Sequence, residues 1–325
     1  MYWIGLKWKI WPRRPLLIGV VIICSTIGAA SAKSPSHRTD SRQPPVHFTA
    51  IAFPSDLTIP RYHPGHQPFR GGETLIYRAS WIGIPAAEAR ITLVKNGADG
   101  SLWTGKLWLR STTAVDLLYR MRDYVYEDFN RADLRPREMR IIQHEKQRRD
   151  EWSIRFDDHA HLVTSAKRNA QGRTWIRQFT GGEPWGPFSG AMLALSLPLG
   201  VGQTYTFDVF SGGNRYVLAF DVQRRESITT ALGTVPALRI MPSVVWLSEG
   251  KFRNQVSQSV LWLSDDERHL PLRIEATAYI GTIRIDLIKI LNGPVNAAVA
   301  GTQTIEAAER ERNFQLLTPL FTMIP

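Results

Sequence analysis

The alternation of polar and apolar residues over 255–287 is the sequence feature that most constrains the fold. Every second residue is apolar through 270–280, and the same alternation resumes over 283–287. Side chains of a β strand point alternately to its two faces, so a period of two predicts strands with one buried face. The stretch 256–263 is the predicted partner strand, and the polar residues 264–268 are typical of the turn between them. The pattern therefore predicts a long antiparallel hairpin.

Similar patterns recur through most of the chain. Two further hairpins are predicted over 205–222, around the turn 211–214, and over 226–240, around Gly233. Other alternating stretches between 74 and 179 bring the total to roughly a dozen strands. Only 115–121 and 188–197 have the composition of short helices. The sequence predicts an all-β domain over 69–292, a mostly antiparallel meander with a closed or half-closed, barrel-like sheet and one or two short helices.

The first 32 residues have the pattern of an export signal. Four basic residues precede an apolar run over 15–27, and Ala30-Ser31-Ala32 offers a cleavage site between small residues. An uncleaved membrane anchor is the alternative, but the apolar run is shorter than the about 20 residues that a spanning helix needs. A cleaved signal peptide over 1–32 is the favoured interpretation, and it predicts that the protein is located in the periplasm.

The segments on either side of the predicted domain lack periodicity. Residues 33–68 are rich in Pro, Ser, His and Arg, a composition that predicts a disordered or loosely ordered arm. Residues 293–325 are mixed and weakly helical, and they are interpreted as a C-terminal tail. The only cysteine of the chain, Cys24, lies in the leader, so the exported chain would contain neither a disulfide nor a thiolate.

The net charge indicates what kind of surface the protein can meet. The whole chain carries a formal charge of +11, and removal of the four basic residues of the leader leaves about +7. Such a charge favours anionic surfaces such as lipid headgroups. Nucleic acid is not an expected partner, because an exported protein seldom meets it and the basic residues over 131–155 are interleaved with acids.

Several short motifs stand in a distinctive order and spacing. They are Phe69-Arg70-Gly71-Gly72-Glu73-Thr74-Leu75-Ile76-Tyr77, Trp81-Ile82-Gly83-Ile84-Pro85-Ala86, the stretch 119–123, Pro198-Leu199-Gly200-Val201-Gly202-Gln203, Trp262-Leu263-Ser264-Asp265-Asp266 and Leu270-Pro271-Leu272-Arg273. Together they resemble the bacterial exported domain-of-unknown-function 3108 family over about 69–287. The resemblance implies a β-rich envelope protein of Gram-negative type and implies no established activity.

The sequence contains few candidates for chemistry. It has no nucleophile elbow, phosphate loop, dinucleotide fingerprint or His-Glu-x-x-His motif, so we predict no catalytic residue and no cofactor. The best metal candidate is the stretch 157–161, where two histidines one residue apart follow two aspartates. A polar turn between strands explains that composition better, because Asp is common in turns. No metal site is therefore predicted.

The aromatic residues supply the candidates for a ligand cavity, although a filled core explains them better because small barrels often fill themselves. The chain contains 11 tryptophans, and aromatic side chains suit the wall of a ligand cavity as well as a filled core. The candidates for a cavity wall are Tyr77, Trp81, Trp108, Tyr205, Phe207 and Trp262. The leading hypothesis is an exported, non-enzymatic envelope protein that binds a hydrophobic or amphipathic, lipid-like ligand in a β cavity. The alternative is a periplasmic scaffold with a filled core and a basic partner-binding surface; a hydrolase with an unrecognised site is the least favoured.

Overall fold

A computed structural model describes residues 46–52, 58–97, 99–246, 256–278 and 281–291. These residues form fifteen strands and two helices. The strands are β1 Val46–Ala52, β2 Thr74–Trp81, β3 Ile84–Asn96, β4 Leu102–Ser111, β5 Met121–Asn130, β6 Pro136–Glu145, β7 Arg148–Asp157, β8 Leu162–Asn169, β9 Thr174–Thr180, β10 Thr204–Ser211, β11 Asn214–Thr230, β12 Gly233–Trp246, β13 Val256–Ser264, β14 Pro271–Ala278 and β15 Gly281–Leu291. Helix α1, Thr113–Tyr119, connects β4 to β5, and helix α2, Pro187–Ser196, lies between β9 and β10.

All fifteen strands belong to one sheet. Its order is β1-β9-β8-β7-β6-β5-β4-β3-β2-β15-β14-β13-β12-β11-β10. The sheet thus consists of two meanders, β2–β9 and β10–β15, joined along the ladder between β2 and β15. Every pair is antiparallel except β1 with β9. Within the described residues no ladder pairs the edge strand β1 with the edge strand β10, which confirms the prediction of a mostly antiparallel, half-closed, barrel-like sheet.

The stretch 255–287, which constrained the fold most strongly, contains three neighbouring strands. Leu261 of β13 pairs with Ile274 of β14, and Ile274 pairs with Ile285 of β15. All three side chains are buried, whereas the alternate residues such as Arg273 and Glu275 are partly exposed. Alternation along the sequence therefore identified the buried face correctly. The hairpins of β10 with β11 and of β11 with β12 also have the predicted turns.

The sheet curls far enough to bring its two halves into contact. The ring of Phe210 on β10 lies 4.8 Å from that of Phe179 on β9 and 6.1 Å from that of Phe156 on β7. A short parallel backbone bridge between Trp185 and Val209 adds to this contact. The aromatic packing explains why the sheet is half closed, since it buries side chains of both halves at once.

Two elements fill the interior of the curled sheet. Every residue of α2 except Ala191 is buried, so the helix has no broad solvent-facing side. The tip of the β10–β11 hairpin, Ser211 to Asn214, is also buried, with Gly212 and Gly213 at positive φ in a tight two-residue turn. A helix and a hairpin tip thus occupy space that an empty barrel would leave to a ligand.

The prediction of a loosely ordered arm over 33–68 needs correction for the part that the structure describes. β1 pairs with the edge of β9, whose backbone N–H and C=O groups would otherwise lack partners. Further on, the ring of Tyr62 lies 5.2 Å from that of Phe207, and the amide of Gly65 donates to Ser196 Oγ at 3.3 Å. Long-range pairing of this kind leaves no periodic signal in a segment rich in Pro and Ser.

The predicted leader 1–32 and the predicted tail 293–325 lie outside the described residues. Among the residues that the structure does describe, neither helix has the length and apolar character that crossing a bilayer requires.

Candidate functional site

A buried carboxylate holds the N-terminus of α2 inside the sheet. Glu127 lies on β5 and is fully buried, on the same face as Val125 and Phe129. Its Oε2 accepts the backbone N–H of Phe188 at 2.7 Å, and its Oε1 accepts that of Ser189 at 3.0 Å. These two amides belong to the first turn of α2, where helical N–H groups have no partner within the helix. Glu127 therefore satisfies the helix terminus and fixes α2 to β5.

Burial changes the acidity of this carboxyl group. Removal of Glu127 from water raises its pKa to about 7, because the charged form loses its hydration. The hydrogen bonds from Ser189 and Phe188 act in the opposite direction, since they stabilise the carboxylate, but they do not cancel the effect of burial. The group that anchors α2 thus changes its charge near neutral pH.

Two glycines allow α2 to approach the sheet this closely. Gly105 lies in the middle of β4, directly opposite Glu127 on β5, and a Cβ atom there would overlap the ring of Phe188. Gly186 precedes α2, and a Cβ atom there would overlap the carboxylate of Glu127. Glycine weakens a strand interior but permits close approach. The local sequence therefore leaves room for the first turn of α2 against β4 and β5.

An apolar cleft lies between α2 and the second meander. Its volume is about 50 Å³, and it is lined by apolar side chains and glycines alone. Helix α2 contributes small residues, among them Gly190, Ala191 and Ala194, and the strands contribute larger ones, among them Phe207 and Leu218. Because the helix face is small, the facing side chains do not fill the space between them. The cleft is therefore an apolar space within the fold.

The buried hairpin tip is held by an ion pair. Nε of Arg215 on β11 donates to Asp208 Oδ1 on β10 at 2.8 Å, and both side chains are less than a tenth exposed. Nη1 of Arg215 also donates to the carbonyl oxygen of Gly181 at 2.6 Å, which ties the hairpin to the end of β9. Burial raises the pKa of Asp208, while Arg215 opposes this effect. The pair positions the strand that carries Phe207.

Of the six aromatic residues predicted to line a cavity, Phe207 lines the cleft. Tyr205 is buried beside it, with its hydroxyl donating to the carbonyl oxygen of Pro198 at 2.6 Å. Tyr77 is buried in β2 and donates to the carbonyl oxygen of Pro271 at 3.0 Å, and burial raises the pKa of this tyrosine. Neither Tyr205 nor Tyr77 contributes to the lining of the cleft.

The other three predicted residues are not part of the cleft, and for two of them the predicted face is wrong. Trp262 alternates with the buried Leu261 and Leu263, so it lies on the opposite, partly exposed face of β13. Trp108 occupies the equivalent face of β4, where the guanidinium groups of Arg90 and Arg110 lie about 5 Å from its ring. A large aromatic side chain suits an interior wall, but the parity of the strand decides which face the side chain occupies.

Trp81 shares the inward face of β2 with Tyr77 but lies at the end of the strand, where it is only partly buried. The six predicted residues therefore do not form one wall: Phe207 lines the cleft with Tyr205 beside it, Tyr77 is buried in β2, and Trp81, Trp108 and Trp262 are partly exposed.

The stretch 157–161, the best metal candidate of the sequence, forms a polar turn between β7 and β8. Asp158 binds both Nε and Nη2 of Arg135, at 2.9 and 2.6 Å, and Asp157 accepts the amide of Ala160 at 2.9 Å. Both carboxylates are thus engaged within the fold. Among the described residues, no group of three or more His, Cys, Asp or Glu side chains is placed to hold a metal ion.

Sequence reasoning missed Glu127, the residue that organises the site. The stretch 121–129 alternates, but two tyrosines on one face compete with Val125 and Phe129 on the other for the interior. Two signals favour the face of Val125 and Phe129 as the buried one. Glu127 alternates in step with these two residues, and Gly105 interrupts the neighbouring strand directly opposite Glu127. Neither signal reveals that a helix from another part of the chain supplies the donors.

Similarity to this chain is found among solved structures and in one protein family. The chain is similar to the crystal structure of a β-barrel-like protein of the domain of unknown function DUF1849 from Brucella abortus, with 10% identity, a TM-score of 0.46, and coverage of 67% of this chain and 96% of that one. It is also similar to the hypothetical protein CT021 from Chlamydia trachomatis, with 11% identity, a TM-score of 0.30, and coverage of 70% and 90%. A search of curated proteins found no match. The family described as "Protein of unknown function (DUF3108)" matches residues 76–288, and the chain belongs to this family.

Proposed function

We propose that the protein binds the apolar part of a lipid-like or amphipathic molecule in the cleft between α2 and the second meander. The observation that carries the proposal is a cleft of about 50 Å³ whose lining contains only apolar side chains and glycines. Such a volume holds about four water-sized groups, which matches a short stretch of an acyl chain. Ligand sites are lined mostly by apolar side chains, as this cleft is, and a cleft of this size would enclose a segment of a ligand rather than a whole one.

The location of the site supports the same proposal. Ala191 is the one residue of α2 that is partly exposed, and Phe220, which also lines the cleft, is partly exposed, so the lining of the cleft reaches the surface. Glu127 and the Asp208–Arg215 pair fix the two walls independently, one through α2 and the other through the β10–β11 hairpin. A cleft between separately anchored walls can accept a ligand without rearrangement of the sheet.

Titration with a fluorescent fatty acid tests the proposal. The wild-type protein should bind the probe saturably, and Ala194→Leu should weaken binding by about tenfold or more, because the added side chain occupies the cleft. Ala52→Leu is the matched control, since Ala52 is exposed at the end of β1. Thermal unfolding of each variant shows whether the fold is retained. Absence of saturable binding by the wild-type protein, or equal binding by Ala194→Leu, would overturn the proposal.

A scaffold with a filled core is the second candidate. The observation that favours it is the occupation of the interior by α2 and by the hairpin tip Ser211 to Asn214. In that case the fatty acid finds no site, and Ala194→Leu changes stability alone. The titration therefore separates the two candidates.

The proposal includes export to the periplasm with cleavage before Lys33. It is supported by the basic leader, the short apolar run and Ala30-Ser31-Ala32. N-terminal sequencing of the protein from a periplasmic fraction should begin at Lys33. Recovery of the intact N-terminus from the membrane fraction would instead show an uncleaved anchor.

A further inference from the structure

Four large aliphatic side chains project into solvent at one end of the sheet. Leu117 and Leu118 on α1 are 85% and 70% exposed, and Ile82 and Ile84 at the β2–β3 turn are 63% and 62% exposed. We refer to these four residues as the apolar tip. Single exposed aliphatic residues are ordinary, but a group of them at one place marks a surface that meets another apolar phase.

The register of the strands places α1 and the β2–β3 turn side by side. Ala87, near the start of β3, pairs with Ser111 at the end of β4, and α1 follows directly. The amide of Thr112 donates to the carbonyl oxygen of Ala86 at 2.9 Å, and its hydroxyl donates to that of Pro85 at 3.2 Å. The apolar tip is therefore one surface, built from two connections at the same end of the sheet.

The backbone at Ile82 is unfavourable for the residue that it carries. Ile82 has φ of +49°, in the left-handed region that β-branched residues rarely adopt. The two-residue turn Ile82-Gly83 is of a kind in which Asn at the first position is strongly preferred. The side chain of Ile82 lies against Gly281 but remains mostly exposed. An exposed isoleucine that strains its own turn is not explained by the packing of the isolated chain.

Basic side chains flank the apolar tip. Arg110 and Arg120 lie just before and just after α1, and both are exposed. Lys146 is also exposed, and its amide donates to the carbonyl oxygen of Arg120 at 2.8 Å, so the β6–β7 turn lies beside the end of α1. Asp116, the one acid of α1, is paired with Arg122 at 2.6 Å. Glu145, next to Lys146, is partly buried and accepts a hydrogen bond from the hydroxyl of Tyr119 at 2.6 Å, so the exposed charges named at this border are the three cations.

We propose that the apolar tip docks on a membrane surface that contains anionic lipids. The four aliphatic side chains enter the boundary between headgroups and acyl chains, and Arg110, Arg120 and Lys146 contact the headgroup phosphates. Aliphatic residues with a basic border are the combination that binds such interfaces. A turn and a short helix that end the strands form a protruding surface, which suits insertion into a layer of lipids better than a groove would.

The proposal does not depend on ligand binding in the cleft, because the apolar tip and the cleft share no residue. Ala194→Leu, which fills the cleft, should therefore leave docking on membranes unchanged. The fatty-acid titration can fail while the vesicle assay succeeds, or the reverse, so the two proposals can be refuted separately.

Cosedimentation with lipid vesicles tests the docking. Protein purified from cells after export, with its N-terminus determined so that all variants are compared with the same start, is mixed with phosphatidylcholine vesicles with or without phosphatidylglycerol. The wild-type protein should bind vesicles that contain phosphatidylglycerol, bind pure phosphatidylcholine more weakly, and lose affinity as salt is raised.

Three variants distinguish the apolar tip from the rest of the surface. Leu117→Asn combined with Leu118→Asn should weaken binding by about tenfold or more, because two side chains no longer transfer into the acyl region. Ile82→Asn should also weaken binding, and it should melt no lower than the wild-type protein because Asn tolerates positive φ. Leu232→Asn, at an exposed turn at the opposite end of the sheet, is the control and should bind as the wild-type protein does.

Two results would overturn the proposal. Wild-type protein that does not bind vesicles with phosphatidylglycerol would leave a protein partner as the occupant of the apolar tip. Equal binding by the wild-type protein and the Leu117→Asn/Leu118→Asn variant, with both folded, would show that the aliphatic side chains do not enter the lipid.

Discussion

Replacement of Glu127 by Gln should change the dependence of stability on pH. Gln resembles protonated Glu in shape and hydrogen bonding but does not titrate. In the folded protein the pKa of Glu127 is about 7, above the value of 4.5 that an exposed Glu has. Between these two values the folded state retains the proton that the unfolded state has lost. Because the folded state binds more protons there, the free energy of unfolding falls as pH rises from 4.5 to about 7.

The expected magnitude follows from the interval between the two pKa values. Each pH unit is worth about 1.4 kcal/mol, which gives about 3 kcal/mol over the interval. The stabilising contribution of protonated Glu127 is fully present below pH 4.5 and is lost as pH rises through 7. The free energy of unfolding of the wild-type protein minus that of Glu127→Gln should therefore fall by about 3 kcal/mol between pH 4.5 and about pH 7.

Urea unfolding of both proteins between about pH 4 and pH 8 measures this difference. Other buried acids titrate as well, among them Asp123, whose pKa burial raises well above its usual value. Their contributions are common to both proteins and cancel in the difference, provided that the sites do not interact. Glu138→Gln is the control for removal of a partly exposed carboxylate, and it should change the free energy of unfolding by no more than about 0.5 kcal/mol.

Two outcomes would refute this reasoning. A difference between wild-type protein and Glu127→Gln that stays constant with pH would mean that Glu127 does not titrate in this interval. A wild-type protein that gains stability relative to the variant as pH rises would mean that the N–H groups of Phe188 and Ser189 stabilise the carboxylate by more than burial destabilises it.

Three further substitutions test the packing around the site. Arg215→Ala should lower the free energy of unfolding by about 3–5 kcal/mol in urea, because it leaves Asp208 buried without its cation, and removal of both side chains should cost less. Gly105→Ala should lower the free energy of unfolding by about 1–3 kcal/mol, because its Cβ atom overlaps the ring of Phe188. Phe188→Leu in the same chain should restore part of the loss in melting temperature. Trp262→Phe should lower the free energy of unfolding by no more than about 1 kcal/mol, because Trp262 lies on the partly exposed face, and a clearly larger loss would contradict that placement.

Local patterns in the sequence predicted the strands well because alternation and turn residues are set by neighbours in the chain. The pairing of β10 with β11 around Gly212-Gly213 and the buried face of β14 both follow from residues within a few positions of each other. The sequence does not reveal which distant segment pairs with an edge. For that reason β1, which pairs with β9 across more than 100 residues, was assigned to a loose arm.

The candidate site was predicted only in part because it depends on interactions between distant segments. Phe207, a large aromatic residue on an alternating strand and one of the predicted cavity residues, lines the cleft. The buried role of Glu127 depends on amides of α2 some 60 residues away, and an acid in an alternating strand ordinarily indicates the exposed face. Trp108 and Trp262 show the converse error, because a large aromatic residue beside arginines is well accommodated on an outer face.

The ladder between β2 and β15 determines the order in which the sheet can form. Within each meander, neighbouring strands are close in sequence, so their pairing requires the closure of short loops and is kinetically accessible. Thr74–Trp81 and Gly281–Leu291 are about 200 residues apart, and closure of such a loop is favourable only after both meanders have shortened it. During synthesis, β2 pairs with β3 along one edge, and its other edge therefore remains unpaired until β15 is available. In that interval its exposed backbone can pair with another chain, and slow translation or truncation before residue 281 should lead to aggregation through β2.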